Sequence, residues 1–167
     1  PDGKMLATGS ADTTIKVYDV TNDFSLTHTL EGHTNGVGDL SFSPDSRRLF
    51  SGGQETAIRL FDPLAGTLLS TDGEDSIFNA VAHSPHGNFL ARVGFATIEI
   101  MEARTMELLH TIEMPSSVTR FKWSPTGPFL LLGHEDQTVR LTKVTLLEQF
   151  YNRREKRIIF LGAFTRF

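Results

Sequence analysis

A proline-centred turn recurs along this chain at a nearly constant interval. Its copies are Pro1-Asp2-Gly3, Ser43-Pro44-Asp45, Ser84-Pro85-His86 and Ser124-Pro125-Thr126, and the prolines are 43, 41 and 40 residues apart. A period of this length fits one supersecondary unit of four short strands copied along the chain. One such sheet has two faces to cover and is not stable alone, so neighbouring copies must stack. In an array of this kind the repeated positions encode packing, and binding is left to the loops between them.

Composition sets the outer limits. The 167 residues suit one domain, and 39% apolar residues are enough for a continuous core. With no cysteine, a disulfide framework and a cysteine-based zinc site are both excluded. No apolar run approaches the roughly 20 residues of a membrane helix. The expectation is an intracellular protein of cytoplasm or nucleus, with no membrane contact. Pro1 already sits inside a turn motif, so the chain is expected to begin partway through a longer sequence. The net charge of -4 is uneven: residues 151–167 carry Arg153, Arg154, Lys156, Arg157 and Arg166 against Glu155, a net +4, which leaves -8 on the first 150 residues. An acidic body is a poor surface for phosphate backbones, so any nucleic-acid contact is assigned to the tail.

Within each period the pattern predicts strands at 5–8, 15–20, 37–42, 58–61, 89–93, 97–101, 118–123 and 129–132. These segments are short, rich in branched and aromatic residues, and bounded by Gly, Asp, Asn and Pro. The order strand, Ser-Pro turn, strand, polar turn, strand, loop, strand describes an antiparallel meander. The fold class is all-β.

The second copy carries a more specific pattern. Gly32-His33 is followed by Ser43-Pro44-Asp45, then Leu49-Phe50-Ser51-Gly52-Gly53, then Ile58-Arg59-Leu60-Phe61-Asp62. The first copy supplies the matching second half, from Leu6-Ala7-Thr8-Gly9-Ser10 to Ile15-Lys16-Val17-Tyr18-Asp19. This resembles the WD40 repeat, with Phe61-Asp62 standing where that family usually has Trp-Asp. The third and fourth copies are degenerate: Met101-Glu102 and Thr142-Lys143 occupy the Trp-Asp position, Glu74 and Met114 the histidine position, and Asp136 restores the turn aspartate.

The resemblance implies WD40-type β-propeller blades standing around a central channel. Carried over, the blade hydrogen-bond set falls on His33, Ser51 and Glu55 with Phe61 in fourth place, on Thr8, Asp12 and Tyr18 in the first copy, and on Asp136 in the fourth. Phenylalanine has no indole N–H, so the chain of bonds is expected to stop at Ser51 and packing to hold that blade. Copy counting gives about three and a half four-stranded blades, over approximately 1–31, 32–72, 73–113 and 114–144, followed by a basic and apolar tail at 145–167. About 14 strands cannot close a ring of the family's usual size. The expectation is a partial or open propeller, a fragment of a larger one. The tail at 158–164 either adds a strand to the fourth blade or patches an exposed edge, or the tail forms a helix over 145–157; these readings stay open.

Little chemistry is predicted. His83 and His86 lie across a proline turn with no carboxylate or cysteine cluster beside them, which argues against a metal site. No Gly-x-Ser-x-Gly elbow is present, and Gly52-Gly53 lacks the Lys-Ser/Thr of a phosphate loop. Asp72, Glu74 and Asp75 read as a solvated acidic turn. No cofactor is expected.

The resemblance instead points to binding, since WD40 proteins generally lack catalytic activity and hold peptides or proteins on one rim of the ring. The rim positions are Asn35, Gly36 and Gly38 in the second copy, Ile77 and Asn79 in the third, and Ser117 and Thr119 in the fourth, with Gln54, Gly94 and Glu135 from the second-to-third strand loops. The resulting expectation is a non-enzymatic scaffold that presents rim loops to protein partners in a multi-subunit assembly. The alternative is an RNA-processing or ribosome-assembly factor whose tail contacts RNA through Arg153, Arg154, Lys156 and Arg157.

Overall fold

The computed structural model describes residues 1–53, 55–72, 80–94 and 96–144. They form fourteen strands: β1 (Met5–Gly9), β2 (Ile15–Asp19), β3 (Ser25–Leu30), β4 (Val37–Phe42), β5 (Leu49–Gly53), β6 (Ile58–Asp62), β7 (Thr67–Asp72), β8 (Ala80–His83), β9 (Phe89–Val93), β10 (Thr97–Glu102), β11 (Leu108–Glu113), β12 (Val118–Trp123), β13 (Phe129–His134) and β14 (Val139–Lys143). Four antiparallel meanders result, ordered β1-β2-β3, β4-β5-β6-β7, β8-β9-β10-β11 and β12-β13-β14. The fold is therefore all-β, with two complete four-stranded blades flanked by two three-stranded ones. Among the described residues no helix occurs, and so none long and apolar enough to cross a membrane. The tail at 145–167, with every reading of it, lies outside the described residues.

The proline turns have a common construction. In the second sheet Ser43 Oγ accepts the Arg48 amide at 3.0 Å and donates to Asp45. Ser84 Oγ likewise accepts the Phe89 amide. The second residue after the proline takes a left-handed backbone in three copies, at Gly3 (φ 75°), Ser46 (φ 59°) and Gly87 (φ 79°). Glycine adopts that region without a Cβ penalty, and only the second copy places a side chain there. Because the turns are alike, strand registers are alike: Phe42 faces Leu49, His83 faces Leu90 and Trp123 faces Leu130. This register defines equivalent positions in every sheet.

Alternation then sends neighbouring side chains to opposite interfaces. Leu49 and Phe61 pack with Ile15, Val17, Leu30 and Val37 between the first and second sheets. Their neighbours Phe50 and Leu60 pack with Val81, Leu90 and Met101 between the second and third. Ala91, Val93, Ile98 and Ile100 meet Leu130 and Leu132 between the third and fourth. Strands buried on both faces read as continuous apolar runs, and all five residues of β5 are buried.

The inner strands β4, β8 and β12 are tied to one another by polar bonds. Asp39 on β4 accepts the Val81 amide at 3.0 Å, Ser41 accepts the His83 amide at 2.9 Å, and Trp123 donates its indole N–H to the Ala82 carbonyl at 3.0 Å. Close approach at the opposite end of the strands demands glycine. A Cβ at Gly53 would fall inside the van der Waals envelope of the Gly36 carbonyl oxygen, a backbone atom that cannot rotate away. Gly53→Ala is expected to lower stability by about 1–3 kcal/mol, the usual cost of overpacking, measured by urea unfolding. A change within about 0.5 kcal/mol would show that the two loops move apart freely.

Candidate functional site

Strand direction alternates, so the connection into each inner strand and the turn between second and third strands meet at one end of the sheets. In the second sheet these two segments are joined by a polar network. His33, on the connection into β4, shares a bond through Nε2 with Ser51 Oγ of β5 at 2.6 Å, and its Nδ1 contacts the Glu55 carboxylate. Glu55 also accepts from the Thr34 amide at 3.1 Å and from the Thr34 hydroxyl. Arg59, which faces Ser51 across β5 and β6, donates to Glu55 and approaches His33 Nδ1 at 3.0 Å. His33, Ser51 and Arg59 are buried.

Burial lowers the His33 pKa, and the Arg59 charge adds to that effect against the opposing pull of Glu55. Burial alone would raise the Glu55 carboxyl, but the bonds from Thr34, His33 and Arg59 outweigh it and hold it below its usual value. The bonds stop at Ser51 on the Phe61 side, where the buried Phe61 ring lies 6.3 Å from the His33 ring. On the other side the network continues through Arg59, a member the sequence reading omitted. That blade therefore has a larger polar element than packing alone would supply.

Position by position, the second-to-third strand pairs are Thr8 and Lys16, Ser51 and Arg59, Arg92 and Glu99, Leu132 and Arg140. The third sheet thus exchanges serine for a buried arginine and arginine for a carboxylate. Arg92 donates to Glu99 and, at 2.9 Å, to Asp72 at the end of β7. Asp72 therefore ends β7 and pairs with Arg92 while its side chain stays partly exposed; Glu74 and Asp75 lie outside the described residues. An arginine in mid-strand with an opposed charge in register was the available signal, and it becomes visible only once the register is known.

The remaining members of the carried-over set have local roles. Asp12 accepts from the amide and hydroxyl of Thr14, and Asp136 does the same for Thr138. The Thr138 hydroxyl and amide hold the Asp136 carboxyl down to about 2. Glu55, one methylene longer at the same position, reaches across to His33 and Arg59. Thr8 lies exposed on the outer face of the first sheet, where Tyr18 is half-buried.

Among the rim positions, Asn35, Gly38, Thr119 and Glu135 are exposed and Ser117 is partly so. The Glu135 amide donates to the Ser117 carbonyl at 3.0 Å, and Thr119 Oγ1 donates to the Gly133 carbonyl at 3.1 Å. The structure therefore brings Ser117 and Glu135 together at the fourth sheet, as it brings Thr34 and Glu55 together at the second. Gly94 is buried and donates to Thr97 O. Gln54, Ile77 and Asn79 lie outside the described residues.

With this geometry in place, comparison with known proteins is decisive. The family model described as WD domain, G-beta repeat matches residues 1–19, 24–62 and 106–142. The chain belongs to the WD40 family. It is 27% identical over 161 residues to nuclear distribution protein PAC1 of Coccidioides posadasii, covering 83% of this chain and 34% of that protein. It is 26% identical over 153 residues to small ribosomal subunit protein RACK1y of Oryza sativa subsp. japonica, covering 87% of this chain and 45% of that protein. The chain thus spans about a third to just under half of these relatives. A chain in a crystal structure of the mitotic checkpoint complex superimposes with a TM-score of 0.76 at 26% identity, over 85% of this chain and 47% of that one.

WD40 proteins are interaction scaffolds or regulators and are generally non-enzymatic. Among the described residues, no group of three or more His, Asp or Glu is placed to hold a metal. His83, noted in the sequence beside His86, packs edge-on against Phe50 with ring centroids 5.1 Å apart. Among the described residues neither of its ring nitrogens has a hydrogen-bond partner.

Proposed function

We propose that this WD40 segment is a non-enzymatic scaffold that presents its rim loops to protein partners within an intracellular assembly. The observation that carries this reading is the contrast between exposed Asn35 and the anchored residues beneath it. Thr34, immediately before it, is clasped by Glu55 through both its amide and its hydroxyl. A loop held in this way loses little entropy on binding, so contacts made by Asn35 and its neighbours convert efficiently into affinity. The relatives support the same direction: one is named as a small ribosomal subunit protein, and a similar chain is part of a mitotic checkpoint complex.

The test is quantitative capture of proteins from cell extract by the wild-type chain and by an Asn35→Arg, Glu135→Arg variant. Both residues are exposed, so the variant is expected to melt as wild type does. A set of captured proteins depleted about tenfold or more by the variant supports rim binding, because a charge placed in a desolvated interface costs on that scale. Identical capture by both chains would overturn it.

A further inference from the structure

The connection into β4 carries the one asparagine-glycine pair of the chain, Asn35-Gly36. Asparagine before glycine is the pair most open to attack by the following backbone nitrogen on the side-chain carboxamide, because glycine has no Cβ to hinder the approach. The fold adds two conditions. Asn35 is exposed, so water and base reach it. The Gly36 amide donates to Asn35 Oδ1 at 2.8 Å, its only acceptor among the described residues, and the carbon to be attacked, Cγ, is bonded directly to that oxygen. An amide held in a sheet ladder is withdrawn from such chemistry, whereas this one lies against its target. The other two described asparagines differ. Asn22 and Asn88 are also exposed, but they precede Asp23 and Phe89, whose side chains crowd the approach, and the Phe89 amide is committed to Ser84 Oγ at 3.1 Å.

We infer that Asn35-Gly36 is a site of spontaneous deamidation whose products alter the rim as the protein ages. The Gly36 nitrogen, after losing its proton to solvent base, forms a bond to Asn35 Cγ. The bond from Cγ to the carboxamide nitrogen breaks, and that nitrogen leaves as ammonia with a proton from water. A cyclic succinimide remains. Water then opens the ring at Cγ to give aspartate, or at the main-chain carbonyl to give isoaspartate, so water is the only co-reactant and nothing is oxidised.

Both products change this loop. Each places a carboxylate next to Thr34, which the Glu55 carboxylate already clasps, so like charges are brought together. Isoaspartate also lengthens the main chain by a methylene in a segment with little room. A Cβ on Gly36 would lie 3.2 Å from the Ala11 Cα, and the Gly36 carbonyl oxygen is the atom that leaves no space for a Cβ on Gly53. The next amide, of Val37, donates to the Ser10 carbonyl at 3.0 Å and ties the loop to the first sheet. That tie is expected to loosen in the isoaspartate form. The effect on partners rests on the rim reading above; the chemistry at Asn35 does not.

The test is to age the whole 167-residue chain at physiological temperature in mildly alkaline buffer, with a control in mildly acidic buffer, where the backbone nitrogen keeps its proton. Peptide mapping by mass spectrometry, with isoaspartate scored by isoaspartyl methyltransferase labelling, is expected to show Asn35 converting at least about tenfold faster than Asn22 and Asn88. Hydrogen exchange should show lost protection of the Val37 amide in the isoaspartate fraction. The aged chain should hold about tenfold less of the proteins that the control chain captures from cell extract. Asn35 left intact, or converted only once urea unfolds the chain, would overturn the site. Full conversion with the Val37 amide still protected and capture unchanged would overturn its effect on the rim. A control chain that captures nothing counts against the rim reading alone, and the mapped conversion of Asn35 still decides the modification.

Discussion

Glu55→Gln is expected to lower the unfolding free energy by about 3 kcal/mol, because it removes the only carboxylate that contacts the buried Arg59 among the described residues. The size follows from an asymmetry. An intact buried pair contributes little net stability, since attraction only repays desolvation, but removing one partner leaves the other charge in a dry site. Glutamine preserves volume and can still accept from Thr34, so the loss isolates the charge. For a chain of this size the melting temperature should fall by roughly 6–12 °C. Adding salt should change this difference little, because a buried pair is poorly screened. Glu55→Asp offers a graded comparison: aspartate stands at the same position in Asp12 and Asp136 and suits the local turn, but is too short to span to His33 and Arg59. In the double variant Glu55→Gln, Arg59→Met, much of the loss should be recovered, giving a coupling energy of about 1–3 kcal/mol. Additive losses, or a Glu55→Gln change below about 0.5 kcal/mol, would show that Arg59 is solvated and the network decorative.

The strands were legible because the features that make them are local. Branched and aromatic segments lie between Ser-Pro turns whose serine hydroxyls bond the chain five residues on, and the fixed spacing of those turns aligned every copy. The alignment also placed His33, Ser51 and Glu55 at matching positions, and the structure brings these three side chains into contact. What sequence could not supply was the pairing of side chains across strands. Arg59 and Arg92 look like ordinary surface cations in a linear reading. Only the register shows that the first faces Ser51 and the second faces Glu99, on strands buried from both sides. The pairing of Asp72 is hidden for the same reason: three acidic residues within four positions resemble a solvated turn, and only the structure shows the buried Arg92 guanidinium beside the partly exposed Asp72. His83 was weighed as a metal ligand because histidines in sequence invite that question, whereas its position is equivalent to Phe42 and Trp123, the aromatic packing residues before each Ser-Pro turn.

That equivalence leads to the second large effect. His83→Phe is expected to stabilise the protein, by about 1–2 kcal/mol at neutral pH and by about 3 kcal/mol more near pH 4. Both ring nitrogens of His83 are sealed from solvent and have no partner among the described residues, and each unsatisfied group carries a desolvation cost that a phenyl ring does not. Burial pushes its pKa from 6.5 down to about 4, with nearby Asp45 opposing that shift and Arg48 adding to it. The sign follows from proton uptake. Between about pH 6.5 and pH 4 the unfolded chain binds a proton at this residue and the folded chain does not, so stability falls as the solution is acidified through that window. A shift from 6.5 to about 4 corresponds to about 3 kcal/mol, most of it lost by the time the pH reaches the folded value. His33 is also lowered by burial and contributes a loss in the same direction, as other groups do at lower pH, so the wild-type profile alone does not isolate His83. The difference between wild type and His83→Phe does, because every other group is common to both. Urea unfolding at pH 7, 6, 5 and 4 should show the two stabilities diverging steadily as the pH falls. Parallel curves would mean that His83 meets water in the folded state and titrates normally. The phenyl ring should keep the edge-on contact with Phe50, and the His83 backbone amide remains free to donate to Ser41, so the tie between β4 and β8 is preserved in the variant.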